Sequence, residues 1–288
     1  MKKILLSLSM IAVVAIIAIG ATGAFFSDTE TSTGNTFAAG AIDLGVDNTS
    51  YYNGQPNPGT SWALNYDMDK CTVPNPAYRG TETPNVPPTL PCMFFNFNDL
   101  KPGDWGEDTI SLHVNNNDSY LCADVTLTSN LDNSSTEPEM DAGDTDWNDD
   151  NTGELKDYVK FVWWADDGDN VLEDNETPIH KNVPLGTGTV ALADSDQNIW
   201  GDVDGDDNPI PLPGGSDRYI GKAWCFGDLT LQPVPAGQGV NPTVDSGISC
   251  NGANAGNLSQ TDSMTADIGF RAVQSRNNAD FQCTAPID

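Results

Sequence analysis

Histidines, cysteines and closely spaced carboxylates are the side chains with which this chain could do chemistry, and their spacing decides among the options. Only two histidines occur, His113 and His180, 67 positions apart, and no His-Glu-x-x-His run sets two imidazoles on one helix face beside a glutamate base. His113 alternates with the apolar residues of a strand pattern and is expected to face outward, while His180 follows an acidic loop and is expected on the surface. No Gly-x-Ser-x-Gly elbow is present. The chain is therefore not expected to be an enzyme.

Carboxylates are far more numerous. Three segments place acidic or amide side chains at alternating positions, which lets one loop offer several oxygens to a hard cation. They are Asp144, Asp146 and Asn148; Asp167 and Asp169 with Glu173 and Glu176 beyond; and Asp202, Asp204 and Asp206. None follows the EF-hand rule, because the glycine needed at the sixth position is Asp149 in the first and Asp207 in the third, and the twelfth positions are Leu155 and Pro213. The best of the three runs from Asp166 to Glu176, since the preceding Trp163-Trp164 ends an apolar run whose strand would anchor it. Its candidate ligands are Asp166, Asp167, Asp169, Glu173 and Glu176, and calcium is the ion they suit; no cofactor is otherwise required.

Cys71, Cys92, Cys122, Cys225, Cys250 and Cys283 make an even set without a Cys-x-x-Cys motif or a Cys/His cluster. In an exported chain such a set reads as three disulfides. Spacing alone does not choose the pairing. Proximity and expected strand neighbours favour Cys71 with Cys92, Cys225 with Cys250, and Cys122 with Cys283.

Export is expected from the first residues. Lys2 and Lys3 precede an apolar run from Ile4 to Ile19, and small Ala21 and Gly23 suit a signal peptidase that cuts before Ala24. The alternative, an uncleaved anchor, would use the same run as a membrane span. With residues 1–23 removed, 288 minus 23 leaves 265 residues, and all 42 acidic but only 10 of the 12 basic residues remain, a formal charge of −32. Such a charge repels phosphate backbones and anionic bilayers, so nucleic-acid binding is excluded and no membrane span is expected after cleavage.

The elements that must carry these residues read as strands. Ile42, Leu44 and Val46 alternate with polar neighbours, as do Ile110, Leu112 and Val114; Leu121, Ala123, Val125 and Leu127 share one face. Further strands are expected at 158–164, 187–193, 218–226 and 264–274. Leu100-Lys101-Pro102-Gly103-Asp104 is turn chemistry between two runs, and Asn53-Gly54 is a tight turn. Long polar loops are expected at 47–91, 129–156, 194–217 and 232–260. One of Trp163 and Trp164 should enter the core and the other lie under a loop or at a subunit contact. The fold class is all-β, a jelly-roll-like antiparallel β-sandwich over residues 37–288 with long acidic insertions, preceded by an extended segment over 24–36.

Ala24-Phe25-Phe26-Ser27-Asp28, then Thr36-Phe37-Ala38-Ala39-Gly40-Ala41-Ile42-Asp43-Leu44, and later Asn98-Asp99-Leu100-Lys101-Pro102-Gly103-Asp104 resemble the TasA/camelysin family. These are secreted matrix-fibre and surface proteins with SipW-type signal peptides, similar to archaeal bundling pilins. The resemblance implies a homopolymer built by donor-strand complementation, with Ala24, Phe25 and Phe26 entering the next subunit, and a biofilm-matrix or cell-surface location; the alternative is a segment that is a disordered tail or pairs with its own sheet. It also admits a camelysin-like metallopeptidase, and the acidic loops admit a calcium-dependent adhesion module. The disulfides depart from the family. Sequons at Asn48, Asn117, Asn133, Asn175 and Asn257 permit glycosylation without requiring it.

Overall fold

The computed structural model describes residues 27–29, 42–63, 93–145, 152–184 and 186–283. Among them twelve strands and two short helices form: β1 (Ser27–Thr29), β2 (Leu44–Tyr52), β3 (Gln55–Pro56), β4 (Trp105–Val114), β5 (Ser119–Leu131), α1 (Glu137–Ala142), α2 (Leu155–Tyr158), β6 (Val159–Asp166), β7 (Pro178–Pro184), β8 (Gly188–Ala193), β9 (Ser216–Phe226), β10 (Asp228–Leu231), β11 (Ile248–Asn251) and β12 (Ser263–Gln274). The seven expected strands are all present. The helices escape a periodicity reading because six and four residues span barely a turn or two. Glu139 of α1 accepts the backbone N–H of Thr136 at 2.5 Å, and Gly143 closes the other end at φ 105°.

The strands make a six-stranded sheet in the order β3-β2-β4-β9-β6-β7, a four-stranded sheet in the order β1-β12-β5-β8, and the ribbon β10-β11. Every pairing is antiparallel. Leu44, Val46, Ile110, Leu112, Ile220, Trp224 and Trp163 of the first sheet meet Leu121, Ala123, Val125, Leu192, Phe270 and Ala272 of the second in one core, which makes the fold an antiparallel sandwich. Each strand contributes alternate residues, as the pleat requires.

Asn53 (φ 48°) and Gly54 (φ 70°) form the expected tight turn between β2 and β3. The loop expected to start at residue 47 starts later, because β2 runs to Tyr52. Its inward residues there are polar: Asn48 and Ser50 are buried, where Asn48 donates to Thr60 O (2.7 Å) and Asp108 Oδ1 (3.2 Å), and Thr60 Oγ1 donates to Ser50 Oγ (2.8 Å). Hydrophobic alternation could not reveal a strand whose core face carries an amide and a hydroxyl. β5 likewise extends into the loop expected at 129–156, and β11 lies inside that expected at 232–260. β7 was not expected either; it is an edge strand bounded by prolines and bulged twice against β6.

Trp163 enters the main core, whereas Trp164 packs on the opposite face with Val162, Leu172, Ala223, Cys225, Leu229 and Ile248. Gly221, paired with Trp164 across the sheet, is required there, since a Cβ would stand 2.0 Å from the indole.

Two of the three expected disulfides are formed, Cys122–Cys283 and Cys225–Cys250; Cys71 and Cys92 lie outside the described residues. With sequence separations of 161 and 25, they remove unequal amounts of loop entropy from the unfolded chain. The chain-entropy relation gives about 5 and about 3.5 kcal/mol. Mutating Cys122 and Cys283 together to Ala should therefore lower the melting temperature more than the Cys225/Cys250 pair does, a ranking that calorimetry of the two double variants checks.

Candidate functional site

The edge of the four-stranded sheet is the first place where predicted functional residues can be located. Ser27, Asp28 and Thr29 pair with Val273, Ala272 and Arg271, so the N-terminal segment adds as an outer strand to β12. Ala24, Phe25 and Phe26 lie outside the described residues. β12 is twelve residues long and pairs with β5 along its whole length, yet β1 covers only three of its residues. Phe270 and Ala272, opposite or beside β1, are buried, whereas the inward Met264, Ala266 and Ile268 are only partly covered although they pack against the same core. Among the described residues, no strand pairs with the outer edge of Ser263–Phe270.

The Asn98–Asp104 stretch has a local structural job. Asp104 Oδ2 accepts the Lys101 N–H (2.8 Å) and the Tyr52 hydroxyl (2.6 Å), while Oδ1 accepts from Asn53 Nδ2 (2.9 Å). Asn53 Oδ1 in turn accepts the N–H of Trp105 (3.0 Å). One carboxylate thus ties the β2–β3 turn to the start of β4. Burial alone would raise its pKa, but the donors from Tyr52, Asn53 and Lys101 hold it below the ordinary value. Burial and the same Asp104 contact push the Tyr52 hydroxyl up to about 12.

The acidic loop after β6 is well ordered by its own side chains. Asp166 accepts the Trp164 indole N–H at Oδ1 (3.1 Å) and the N–H groups of Gly168 (3.0 Å) and Asn170 (3.2 Å) at Oδ2. Asp169 Oδ1 accepts the Val171 N–H (2.9 Å). Glu176 accepts from Asp167 N (3.1 Å) and Glu173 N (2.9 Å), and Glu173 accepts from Gly237 N (2.8 Å) and Gly239 N (2.7 Å). Both glutamates therefore hold loops together with both of their oxygens. Asp166, Asp167 and Asp169 each offer an oxygen lying within 4.8 Å of the others. Gly239 permits this crowding, because a Cβ there would stand 2.1 Å from Asp169 Oδ2.

Two residues of this region were not singled out from the sequence. Glu107 of β4 lies on the sheet face that carries Trp164 and is fully buried, near enough to the loop for the charges of Asp166 and Asp169 to act on it, and Asn170 is 1% exposed within the loop. Glu107 is alternate to Asp108 in an alternating strand, so its pattern is that of a solvent-facing position; nothing local says that a distant loop covers it.

The other two acidic segments behave differently. Asp204 caps its own loop, accepting from Asp206 N (2.8 Å) and Asn208 N (3.0 Å), and Asp202 pairs with Arg218 (2.6 Å). Of the first segment, Asp144 is buried, and Asp146 and Asn148 lie outside the described residues. His113 faces away from the core as expected, held by Asp217 (2.7 Å) and Asp47 (3.0 Å) on the neighbouring strands. Asn48, one of the sequons, is buried and bonded inside the sandwich, which removes it as a glycosylation site in the folded protein.

A family model matches the N-terminal part of the chain. It is described as camelysin metallo-endopeptidase and aligns with residues 1–70. The TasA/camelysin resemblance carried by Ala24–Asp28 and Thr36–Leu44 is thus found by an independent comparison. The matched stretch contains β1, β2 and the hairpin partner of β2, β3, while the acidic loop and β12 lie beyond it. Both histidines also lie beyond it. No curated protein matches the chain. Among the described residues, no helix is long and apolar enough to cross a membrane.

Proposed function

We propose that this chain is a secreted structural subunit that polymerises through its N-terminal segment into an extracellular matrix fibre or thin pilus. The observation that carries the reading is the docking of Ser27–Thr29 on β12. A strand edge presents unpaired N–H and C=O groups, and any chain with the right alternation can satisfy them. A lone subunit has only its own segment to offer. Where subunits are concentrated, the same element can be exchanged with a neighbour, and because donor and acceptor are different surfaces the contact is heterologous and propagates. In this reading residues 1–23 are a signal peptide, 24–36 the donor strand with Ala24, Phe25 and Phe26 at its head, and 37–288 a single sandwich domain.

The disulfides agree with an oxidising destination outside the cytoplasm. The peptidase named in the family description is not the function proposed here. His113 is engaged by two aspartates on a sheet surface, and with His180 the chain has two histidines, too few for a zinc site of three imidazoles. A calcium-dependent surface module is the second reading, favoured by the acidic loop above Trp164.

Purified, processed protein tests the proposal. Its N-terminal sequence should begin at Ala24, and negative-stain electron microscopy should show filaments one subunit wide. Retention of Met1, or particles that stay monomeric at high concentration, would overturn it.

A further inference from the structure

We propose that the loop from Asp166 to Asn170 closes on a calcium ion, and that Glu107 of β4 and Asn170 serve as ligands with Asp167 and Asp169. The argument begins with Glu107. It is 0% exposed, and neither of its carboxylate oxygens meets a hydrogen-bond donor among the described residues. None of the ion pairs among the described residues reaches it. Burial pushes its pKa far up, and the charges of Asp166, Asp108, Asp245 and Asp169 push it further. Asp108 has its own counter-charge, Lys222 at 2.5 Å on the other face of the sheet. A buried carboxylate among like charges with no donor is costly, and a bound cation is the arrangement that turns each of those costs into an attraction.

Asn170 makes the same point with a neutral group. Its amide is buried and neither Oδ1 nor Nδ2 has a partner among the described residues, while its backbone, in the left-handed region at φ 64°, is fixed by the N–H donated to Asp166. The remaining acceptors are in place. Asp169 uses only Oδ1 within the protein, and the Asp167 carboxylate accepts no hydrogen bond from the described residues. Two oxygens bound to one calcium at about 2.3–2.6 Å stand no more than about 5 Å apart, and the aspartate oxygens meet that limit at 4.8 Å. Asp166, Glu173 and Glu176 do not need to bind the ion, since their oxygens already hold the loop and the 237–239 turn around it.

The donor chemistry selects the ion. All the ligands are oxygens, without imidazole or thiolate, which excludes a site built for zinc or copper. Magnesium would demand a compact octahedron and keep several waters, whereas calcium accepts six to eight oxygens at variable angles, including a carboxylate bound through both. Glu107, reaching up from a rigid strand, is suited to that bidentate role.

The site is tested on the processed protein after chelator treatment, whether or not it polymerises. Added CaCl2 should raise the melting temperature well beyond equimolar MgCl2. Terbium, which takes calcium sites, should give tryptophan-sensitised luminescence, because the Trp164 indole bonds directly to Asp166 at 3.1 Å. Glu107→Gln should weaken both responses at least about tenfold, since losing even an outer partner of a metal ligand costs that much. It should also fold about as well as the parent without calcium, because the amide has the shape of the buried carboxyl group it replaces. Asp169→Asn should weaken binding in the same way, and Asp204→Asn, in the exposed capped loop, should not. Wild-type protein indifferent to calcium, or Glu107→Gln binding as tightly as wild type, would overturn the assignment.

Discussion

Deleting residues 24–35 should abolish filaments and leave a folded, soluble monomer. The sandwich core is assembled from β2, β4–β6, β8, β9 and β12, and β1 contributes only three paired residues at an edge. Loss of the segment therefore removes the donor without removing the core. Each phenylalanine that docks fully on a neighbour contributes roughly 1.5–3 kcal/mol, and backbone hydrogen bonds to the open edge of β12 add to it. Successive strand residues point to opposite faces, so Phe25→Ser and Phe26→Ser should differ, with one variant near wild type and the other defective. The inward Met264, Ala266 and Ile268, only partly covered, are the surface on which an incoming strand would bury apolar side chains. A synthetic peptide of residues 24–36 should stabilise the deletion protein against heat, as a ligand specific for the native state must. Filaments of normal appearance from the deletion protein would refute the mechanism and favour the calcium-dependent surface module.

The second large effect is expected at Lys222. Its ammonium is 0% exposed, bonded to Asp108 Oδ2 at 2.5 Å, and stands 3.7 Å from the centre of the Phe95 ring, with Phe94 on another side. Burial lowers its pKa and Asp108 opposes that shift, which leaves a pair whose members depend on each other. Lys222→Met should destabilise the protein by about 3–5 kcal/mol, because Asp108 is left as a buried charge with only Asn48 as a donor. Against a total stability of about 5–15 kcal/mol this is a large fraction. Adding Asp108→Asn to the same chain should recover much of the loss, since the remaining groups are then neutral and Asn48 still has an acceptor. Urea unfolding reads both results as shifts in midpoint at constant slope. A Lys222→Met variant within about 1 kcal/mol of wild type, inside the range of an exposed pair, would show that the charges are not held as described.

Legibility of the fold followed the range of the interactions involved. Strands such as Ile110–Val114 and Leu121–Val125 alternate cleanly because one face meets the opposite sheet, and that pattern is written in neighbouring residues. β2 beyond Val46 was hidden because Asn48 and Ser50 face inward and hydrogen-bond to Thr60 and Asp108, partners 10 to 60 positions away. The acidic loop was visible as spaced aspartates, yet Glu173 and Glu176, which look like ligands in the sequence, spend their oxygens on backbone N–H groups. Glu107 could not be found from the sequence at all. On a strand it reads as a solvent-facing residue, and only the fold buries it and brings Asp166 and Asp169 near it.

By itself, the sequence determined the all-β class, the Asn53-Gly54 turn and the strongly acidic balance of the chain. All of these follow from local conformational preference or from summed charge. Tertiary structure alone decided that β12 pairs with the N-terminal segment on its outer side and that Glu107 is buried without a donor among the described residues. Those outcomes depend on which strands pair and which loops cover them, and such contacts are selected by the free energy of the whole packed chain rather than by any stretch of it.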